Sequence, residues 1–79
     1  MDGQAILAVF AQTVREVVPE VDGGAIVTDR TLAELGCNSI DRAEIVTLVM
    51  ERLAVTVPVT QLHSGQDIGT LVALFQRYS

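Results

Sequence analysis

The chain has 79 residues, of which 49% are hydrophobic and 4% aromatic, so we expect one domain spanning residues 1–79. A chain this short buries only about 60 to 65% of the surface that it exposes when unfolded, which leaves little room for a deep active site beside an aliphatic core. Ten acidic residues against five arginines give a net charge of -5, which disfavours a nucleic-acid binder and fits either basic partner surfaces or simple solubility.

The first predicted element is an amphipathic helix that ends at Pro19. Its apolar residues recur at intervals of three and four; they are Ile6, Leu7, Phe10, Val14 and Val17. The segment lacks the basic start and uninterrupted apolar run of a signal peptide, and Arg15 and Glu16 interrupt any membrane span. Since Cys37 is the only cysteine, an intramolecular disulfide is impossible. We expect a soluble cytoplasmic protein with no membrane partner.

A long connection, residues 19–38, leads to the second predicted helix, which begins around Ser39. A connection of this length is usually ordered by its own apolar side chains or carries function. Its candidate anchors are Ile26, Leu32 and Leu35, and the helix stripe after it consists of Ile45, Val46, Val49, Met50 and Leu53.

The second connection alternates apolar and polar residues over Val55, Val57 and Val59, which by itself would favour a strand. Pro58 and the lack of a second strand to pair with argue against a sheet, so we predict a short helical turn at 59–63. Asp67 is the predicted N-cap of a last helix, whose buried residues are Ile68, Leu71, Val72 and Phe75. The prediction is an all-α fold, a small four-helix bundle with three main helices and one short one.

Asn38 and Ser39 stand where the second helix starts. One interpretation is an ordinary cap, because their side-chain oxygens suit unpaired backbone N–H groups. The other interpretation is that a phosphate-linked group is attached to Ser39, because a hydroxyl in the first helical turn is exposed and lies where the helix dipole favours a phosphate. A miniature serine hydrolase is disfavoured, since the only histidine, His63, lies roughly two dozen residues away in sequence.

The stretch "LGCNSIDRAEIV" resembles the attachment motif of acyl carrier proteins and the related peptidyl carrier domains, in which a Leu-Gly pair precedes the modified serine and an acidic residue follows. The matching residues are Leu35, Gly36, Ser39, Ile40, Asp41 and Glu44. The resemblance covers nearly the whole chain. It implies that Ser39 carries 4′-phosphopantetheine, transferred from coenzyme A by a magnesium-dependent phosphopantetheinyl transferase, and that the domain holds acyl thioesters without catalysing a reaction.

Asn38 departs from the family pattern, which usually has Asp before the serine. Asn keeps the capping oxygen but lacks the negative charge, so we expect folding to tolerate it and docking to a basic transferase to weaken. Which transferase modifies the chain therefore stays open.

"NSIDRAEIV" is similar to the free-standing donor carriers of bacterial polyketide pathways that install β-branches. This resemblance rests on Asn38 and Arg42, and Arg42 and Arg52 also make the second helix less acidic than in typical fatty-acid carriers. It implies malonyl loading by an acyltransferase, conversion to acetyl by a decarboxylase, and acetyl transfer by a 3-hydroxy-3-methylglutaryl synthase-like enzyme. The alternatives are a peptidyl carrier domain, a generic type II acyl carrier, or an unmodified helical interaction module. We expect a monomer.

If Ser39 bears the arm, partners should contact the adjoining side of the second helix. The predicted docking residues are Asn38, Ile40, Asp41, Ala43, Glu44, Thr47 and Glu51. Ile40 lies off the apolar stripe and suits an apolar docking contact. For Glu44 and Glu51 a simple solvated helix face is the alternative.

Three other features suggest weaker candidates. Cys37 lies near a helix start, where a thiol pKa can fall, but its place in the motif belongs to a small residue, which favours packing. His63 has no partners at metal-ligand spacing, so we predict no metal site. Glu16 and Glu20 form an acidic pair, but nothing in the sequence positions a substrate between them.

Overall fold

The computed structural model describes residues 1–79 and is entirely helical, without a β-strand. Its α-helices are α1 (Gly3–Val17), α2 (Ser39–Leu53) and α3 (Ile68–Tyr78). Two 3-10 turns, Gly23–Ala25 and Val59–Gln61, lie in the two connections. The predicted all-α fold is confirmed, with the short helical element present as the turn Val59–Gln61. The turn Gly23–Ala25 was not predicted.

Each α-helix begins at a side-chain cap. The carboxylate of Asp67 caps α3, as predicted, and the amide oxygen of Asn38 caps α2. The carboxylate of Asp2 caps α1, which was not predicted. Each oxygen accepts a hydrogen bond from a backbone N–H of the first turn, at 2.8 to 3.1 Å. Because these N–H groups have no partner within the helix, the caps determine where the helices start.

The core lies where α1 meets the other two helices. Phe10 of α1 and Phe75 of α3 pack edge to face, with ring centroids 5.1 Å apart and an interplanar angle of 84°, an arrangement that aromatic pairs prefer. Ile45 and Val49 of α2 are fully buried beside them. The predicted apolar stripes therefore form one continuous core.

The connection between α1 and α2 is ordered, and its predicted anchors are inside the molecule. Ile26 and Leu32 are buried and Leu35 is half-buried. The connection also contacts the start of α3 through its backbone, because the N–H of Gly69 donates to the carbonyl of Thr28 at 2.8 Å. The connection therefore holds α3 while it leads into α2.

None of the three α-helices combines the length and apolarity that crossing a bilayer requires.

Candidate functional site

The turn before Ser39 depends on Gly36 and Cys37. Gly36 has a φ of 92°, in the left-handed region that other residues rarely adopt. No atom lies within 4 Å of the position of a Cβ there, so the backbone conformation, rather than a lack of space, requires glycine. The next side chain, Cys37, is only 3% exposed. The buried cysteine anchors the turn and the two following residues face solvent.

The cap of α2 is made by Asn38 and Asp41 together. Asn38 Oδ1 accepts the backbone N–H of Asp41 at 2.8 Å, and Asp41 Oδ2 accepts the backbone N–H of Asn38 at 3.2 Å. This reciprocal pair is a capping box. Ser39 is the first residue of the helix, is exposed, and takes no part in the cap. The capping interpretation of the sequence therefore applies to Asn38, and the Ser39 hydroxyl is available for another role.

Five of the predicted docking residues are exposed along one side of α2. Ile40 is 75% exposed, and Ala43, Glu44, Thr47 and Glu51 are exposed as well. Neither glutamate forms an ion pair, because the one ion pair in the structure joins Arg52 to Glu16. We call Ile40, Ala43, Glu44, Thr47 and Glu51 the α2 face; it is acidic, with an apolar side chain next to Ser39.

The other predicted docking residues, Asn38 and Asp41, lie at the helix start. Asn38 is exposed and Asp41 is half-buried. Because their side chains hydrogen-bond to each other's backbone, they form the cap and have less freedom to rearrange around a partner.

The two arginines of α2 lie off the α2 face. Arg52 pairs with Glu16 and donates to Thr13 Oγ1 at 2.9 Å, so it ties α2 to α1. Arg42 Nη1 donates to the carbonyl of Cys37 at 2.9 Å, across the start of α2. Glu16, which the sequence placed in an acidic pair with Glu20, is therefore a partner of Arg52.

A cleft of about 310 Å³ lies between α2, the turn Val59–Gln61 and the start of α3. Its apolar lining comes from Leu32, Val46, Met50, Leu62 and Leu71, and Val59, Ala43 and Thr47 also border it. The polar groups that line it are Arg42, Thr47, His63, Ser64 and Gln66.

The sequence did not predict that the second connection contributes to this cleft. Val59 is 80% exposed, whereas Val55 and Val57, in the same alternating run, are buried. The alternation alone did not separate them, because Pro58 and the 3-10 turn change the direction of the chain at this point.

Burial raises the pKa of the Cys37 thiol; the Asp41 carboxylate adds to this effect and the Arg42 guanidinium opposes it. A raised pKa means little thiolate at neutral pH, which agrees with the predicted packing role. His63 is exposed, and no cluster of three or more His, Cys, Asp or Glu side chains is placed to hold a metal ion.

The residues around Ser39 fit a phosphodiester-linked arm. The hydroxyl belongs to the first residue of a 15-residue helix, where unpaired N–H groups and the helix dipole stabilise a negative charge. It is exposed, so a separate enzyme can reach it, and this chain needs no base of its own.

Residues 5–75, which include Ser39 and all of α2, match the family model described as phosphopantetheine attachment site. Over 71 residues the chain is 42% identical to the polyketide biosynthesis acyl-carrier-protein AcpK of Bacillus subtilis (strain 168), covering 90% of this chain and 87% of that protein. Among solved structures it matches a chain in the crystal structure of the curacin biosynthetic pathway HMG synthase in complex with acetyl donor-ACP. The TM-score is 0.82 at 33% identity, covering 95% of this chain and 96% of that chain.

Proposed function

The chain belongs to the phosphopantetheine attachment-site family, the acyl carrier proteins, and on this premise we propose that it holds acyl groups as thioesters on a 4′-phosphopantetheine arm at Ser39. The observation that carries this proposal is the division of roles at the start of α2. Asn38 and Asp41 make the cap, while the Ser39 hydroxyl is exposed and unused. The family match confirms the resemblance predicted from "LGCNSIDRAEIV" and identifies the prosthetic group as 4′-phosphopantetheine.

The chain's own residues hold and present the arm, and the partner enzymes supply the chemistry. The bound arm supplies a terminal thiol, which forms the thioester. Ser39 Oγ anchors the phosphodiester, and the amino-terminal end of α2 stabilises its charge. The α2 face lies on the same helix as the anchor, so a partner that binds there meets the root of the arm.

We further propose that the carrier acts in a bacterial polyketide pathway as an acetyl donor for a 3-hydroxy-3-methylglutaryl synthase-like enzyme. The support is its likeness to a polyketide carrier and to a carrier named as an acetyl donor in a complex with an HMG synthase. Its cargo would be malonyl and then acetyl, handled by an acyltransferase and a decarboxylase. We expect the carrier to work as a single-domain monomer in the cytoplasm.

The attachment site is tested by loading the apo-protein from coenzyme A with a broad-specificity phosphopantetheinyl transferase and measuring the intact mass. The wild type should gain one phosphopantetheine, and Ser39→Ala should gain none. Ser64→Ala is the matched control, because Ser64 is also exposed but lies outside the motif. Loading of Ser39→Ala, or no loading of the wild type, would refute attachment at Ser39.

The donor role is tested by charging the holo-protein with acetyl and adding a 3-hydroxy-3-methylglutaryl synthase-like enzyme together with a carrier bearing acetoacetate. The mass of the acceptor carrier should then increase by one acetyl unit and one water, because the enzyme thioester formed in the condensation must be hydrolysed to release the product, and the donor should be left with a free arm thiol. A generic type II carrier should instead fail as a donor here, yet support chain elongation from malonyl by a ketosynthase.

The docking role of the α2 face is tested with Glu44→Arg, measured as the rate of acetyl transfer to the same enzyme. We expect a loss of about tenfold, equivalent to about 1.4 kcal/mol, because the substitution places a cation where a basic partner surface would bind. Glu20→Arg is the control, since it makes the same charge change at an exposed residue outside α2. Equal rates for the two variants would remove Glu44 from the docking surface.

A further inference from the structure

Arg42 differs from the other four arginines of the chain. It is the only one whose side chain is half-buried, while the others are exposed. It also forms no ion pair, although Asp41 and Glu44 are close to it in sequence. Its guanidinium therefore has no carboxylate partner in a protein with a net charge of -5, and the hydrogen bonds that it does make need a separate explanation.

The structure holds the Arg42 guanidinium over the first turn of α2. Helical side chains lean toward the amino terminus, so a residue covers the turn that precedes it. Arg42 follows Ser39 by three positions, a spacing that places two side chains next to each other on a helix. The hydrogen bond from Nη1 to the carbonyl of Cys37, at 2.9 Å, keeps the guanidinium at this end of the helix.

The charges of the first turn indicate what the guanidinium can neutralise. The turn already contains the carboxylate of Asp41, which is committed to the cap. A phosphodiester on Ser39 would bring a second negative charge into the same turn. Arg42 is the only Lys or Arg between residues 31 and 51, so it is the only cation of α2 near this position.

Arg42 retains hydrogen-bonding capacity for a phosphate. A guanidinium has five N–H donors in a planar fork that matches phosphate oxygens, and the carbonyl of Cys37 occupies one nitrogen, Nη1. Arg42 also lines the cleft and does not belong to the α2 face. A phosphate bound to it would therefore be held on the cleft side of the helix.

We propose that Arg42 is a positioning residue for the prosthetic group: its guanidinium, braced by the Cys37 carbonyl, binds the phosphodiester on Ser39 and directs the root of the arm toward the cleft side of α2. Ile40, Glu44 and Glu51, the residues of the α2 face that do not border the cleft, then stay open to partners. This inference rests on the proposed attachment at Ser39.

The test compares apo- and holo-forms of the wild type, Arg42→Gln and Arg77→Gln. Arg77→Gln is the matched control, because it also removes one cation but lies in the last turn of α3. Three quantities are measured: the phosphorus chemical shift of the holo-form, the nitrogen and proton shifts of the Arg42 guanidinium, and the change in melting temperature when the arm is attached.

Binding of the phosphate by Arg42 predicts a specific set of results. The guanidinium signals should move when the wild type is loaded. The phosphorus resonance should differ between the wild type and Arg42→Gln, and should be unchanged in Arg77→Gln. Arg42→Gln should also lose part of the stability that loading gives the wild type, and this difference should shrink in 1 M salt, where the Debye length is about 3 Å.

A purely structural role for Arg42 predicts different results. Arg42→Gln would then destabilise the apo- and holo-forms by the same amount, because only the bond to Cys37 is lost, and the phosphorus resonance would not move. That outcome would overturn the inference while leaving attachment at Ser39 intact. A failure of the wild type to load, by contrast, would refute the proposed function itself.

Discussion

Asn38 and Ser39 are neighbours at the start of α2 and make separate contributions, which substitution can distinguish. Removing the Asn38 oxygen in Asn38→Ala leaves the N–H of Asp41 without its partner at 2.8 Å, so we expect the free energy of unfolding to fall by about 1 kcal/mol. Ser39→Ala removes a hydroxyl outside the cap and should change it by less than about 0.5 kcal/mol. Urea denaturation of the apo-proteins measures both.

Asn38→Asp is the control for this comparison, because aspartate also supplies a capping oxygen. The free energy of unfolding of Asn38→Asp should stay close to that of the wild type. Any effect of this variant on the loading of phosphopantetheine at Ser39 then reflects the added negative charge alone. If Ser39→Ala lowered the free energy of unfolding as much as Asn38→Ala does, the serine hydroxyl would also contribute to the cap.

Cys37 should be a poorly reactive thiol in the folded protein. It is 3% exposed, and burial raises its pKa, so both access and thiolate fraction are reduced. Alkylation of the apo-protein at pH 8 should be much slower in buffer than in denaturing urea, as followed by intact mass. The apo-form is required because the arm has a thiol of its own. Equal rates in the two solutions would contradict a packing role.

Single residues could be predicted from the sequence where their roles are local. The turn at Gly36, the cap at Asn38 and the exposed Ser39 all follow from residues within a few positions of one another. The partner of Arg52 could not be predicted, because Glu16 is on another helix and meets it only when α1 and α2 pack. The position of the Arg42 side chain could not be predicted either, because its partner is a backbone carbonyl rather than a charged side chain.

The contact between the first connection and α3 is an element-scale feature that centres on Gly69. A Cβ at Gly69 would lie 3.0 Å from the carbonyl oxygen of Thr28 and 3.1 Å from its Cβ. The same carbonyl accepts the N–H of Gly69 at 2.8 Å, so it cannot move away without stretching that bond. Glycine at this position allows the close approach of two backbones.

Gly69→Ala should therefore destabilise the protein, although alanine is the better helix former. The gain in helix propensity is at most about 1 kcal/mol, whereas forcing a side chain into a packed contact costs about 1 to 3 kcal/mol. Thermal and urea unfolding should both show that Gly69→Ala is less stable than the wild type. Gly3→Ala is the control, because Gly3 also lies in a first helical turn and a Cβ there would meet its nearest atom at an ordinary 3.6 Å. A stabilised Gly69→Ala would disprove the proposed constraint.

The elements themselves were predictable because their apolar spacing extends over 11 to 15 residues in each helix. The 3-10 turn Gly23–Ala25 was missed because three residues are too few to show a period and no proline stands directly before it, whereas Pro58 directly precedes the equally short turn Val59–Gln61. The contact between Thr28 and Gly69 joins residues that are distant in sequence. Contacts of that kind follow from packing and cannot be deduced from local patterns.

At the scale of the whole molecule, α1 is the helix against which the other two pack. The principal helix contacts are those of α1 with α2 and of α1 with α3. The space between α2 and α3 is closed only partly, by the second connection, and this gap is the cleft beside Arg42. An arrangement in which one helix supports two others thus leaves both a cleft and an exposed α2 face near Ser39.

Acid should weaken the attachment of the first connection to α3 through two carboxylates, Glu34 and Asp67. The backbone N–H of Thr31 holds the pKa of Glu34 below its ordinary value, and the backbone N–H of Thr70 does the same for Asp67. Thr31 and Asp67 also pair in an isolated bridge, so both carboxylates act where the connection meets α3. A pKa lowered on folding means that the unfolded chain binds these protons more tightly. The stabilisation is therefore complete above the unfolded pKa values of about 4, and is lost as the pH falls through the lower folded values.

The double variant Glu34→Gln and Asp67→Asn tests this expectation, because each amide keeps a hydrogen-bond acceptor but does not titrate. Urea midpoints measured from neutral pH down to strongly acidic pH should fall less steeply for the double variant than for the wild type. Glu20→Gln is the control; its carboxylate accepts no hydrogen bond in the structure, so its curve should follow the wild type. If all three proteins lost stability with the same slope, the acid sensitivity would have to arise elsewhere, and these two carboxylates would not govern how the connection is held on α3.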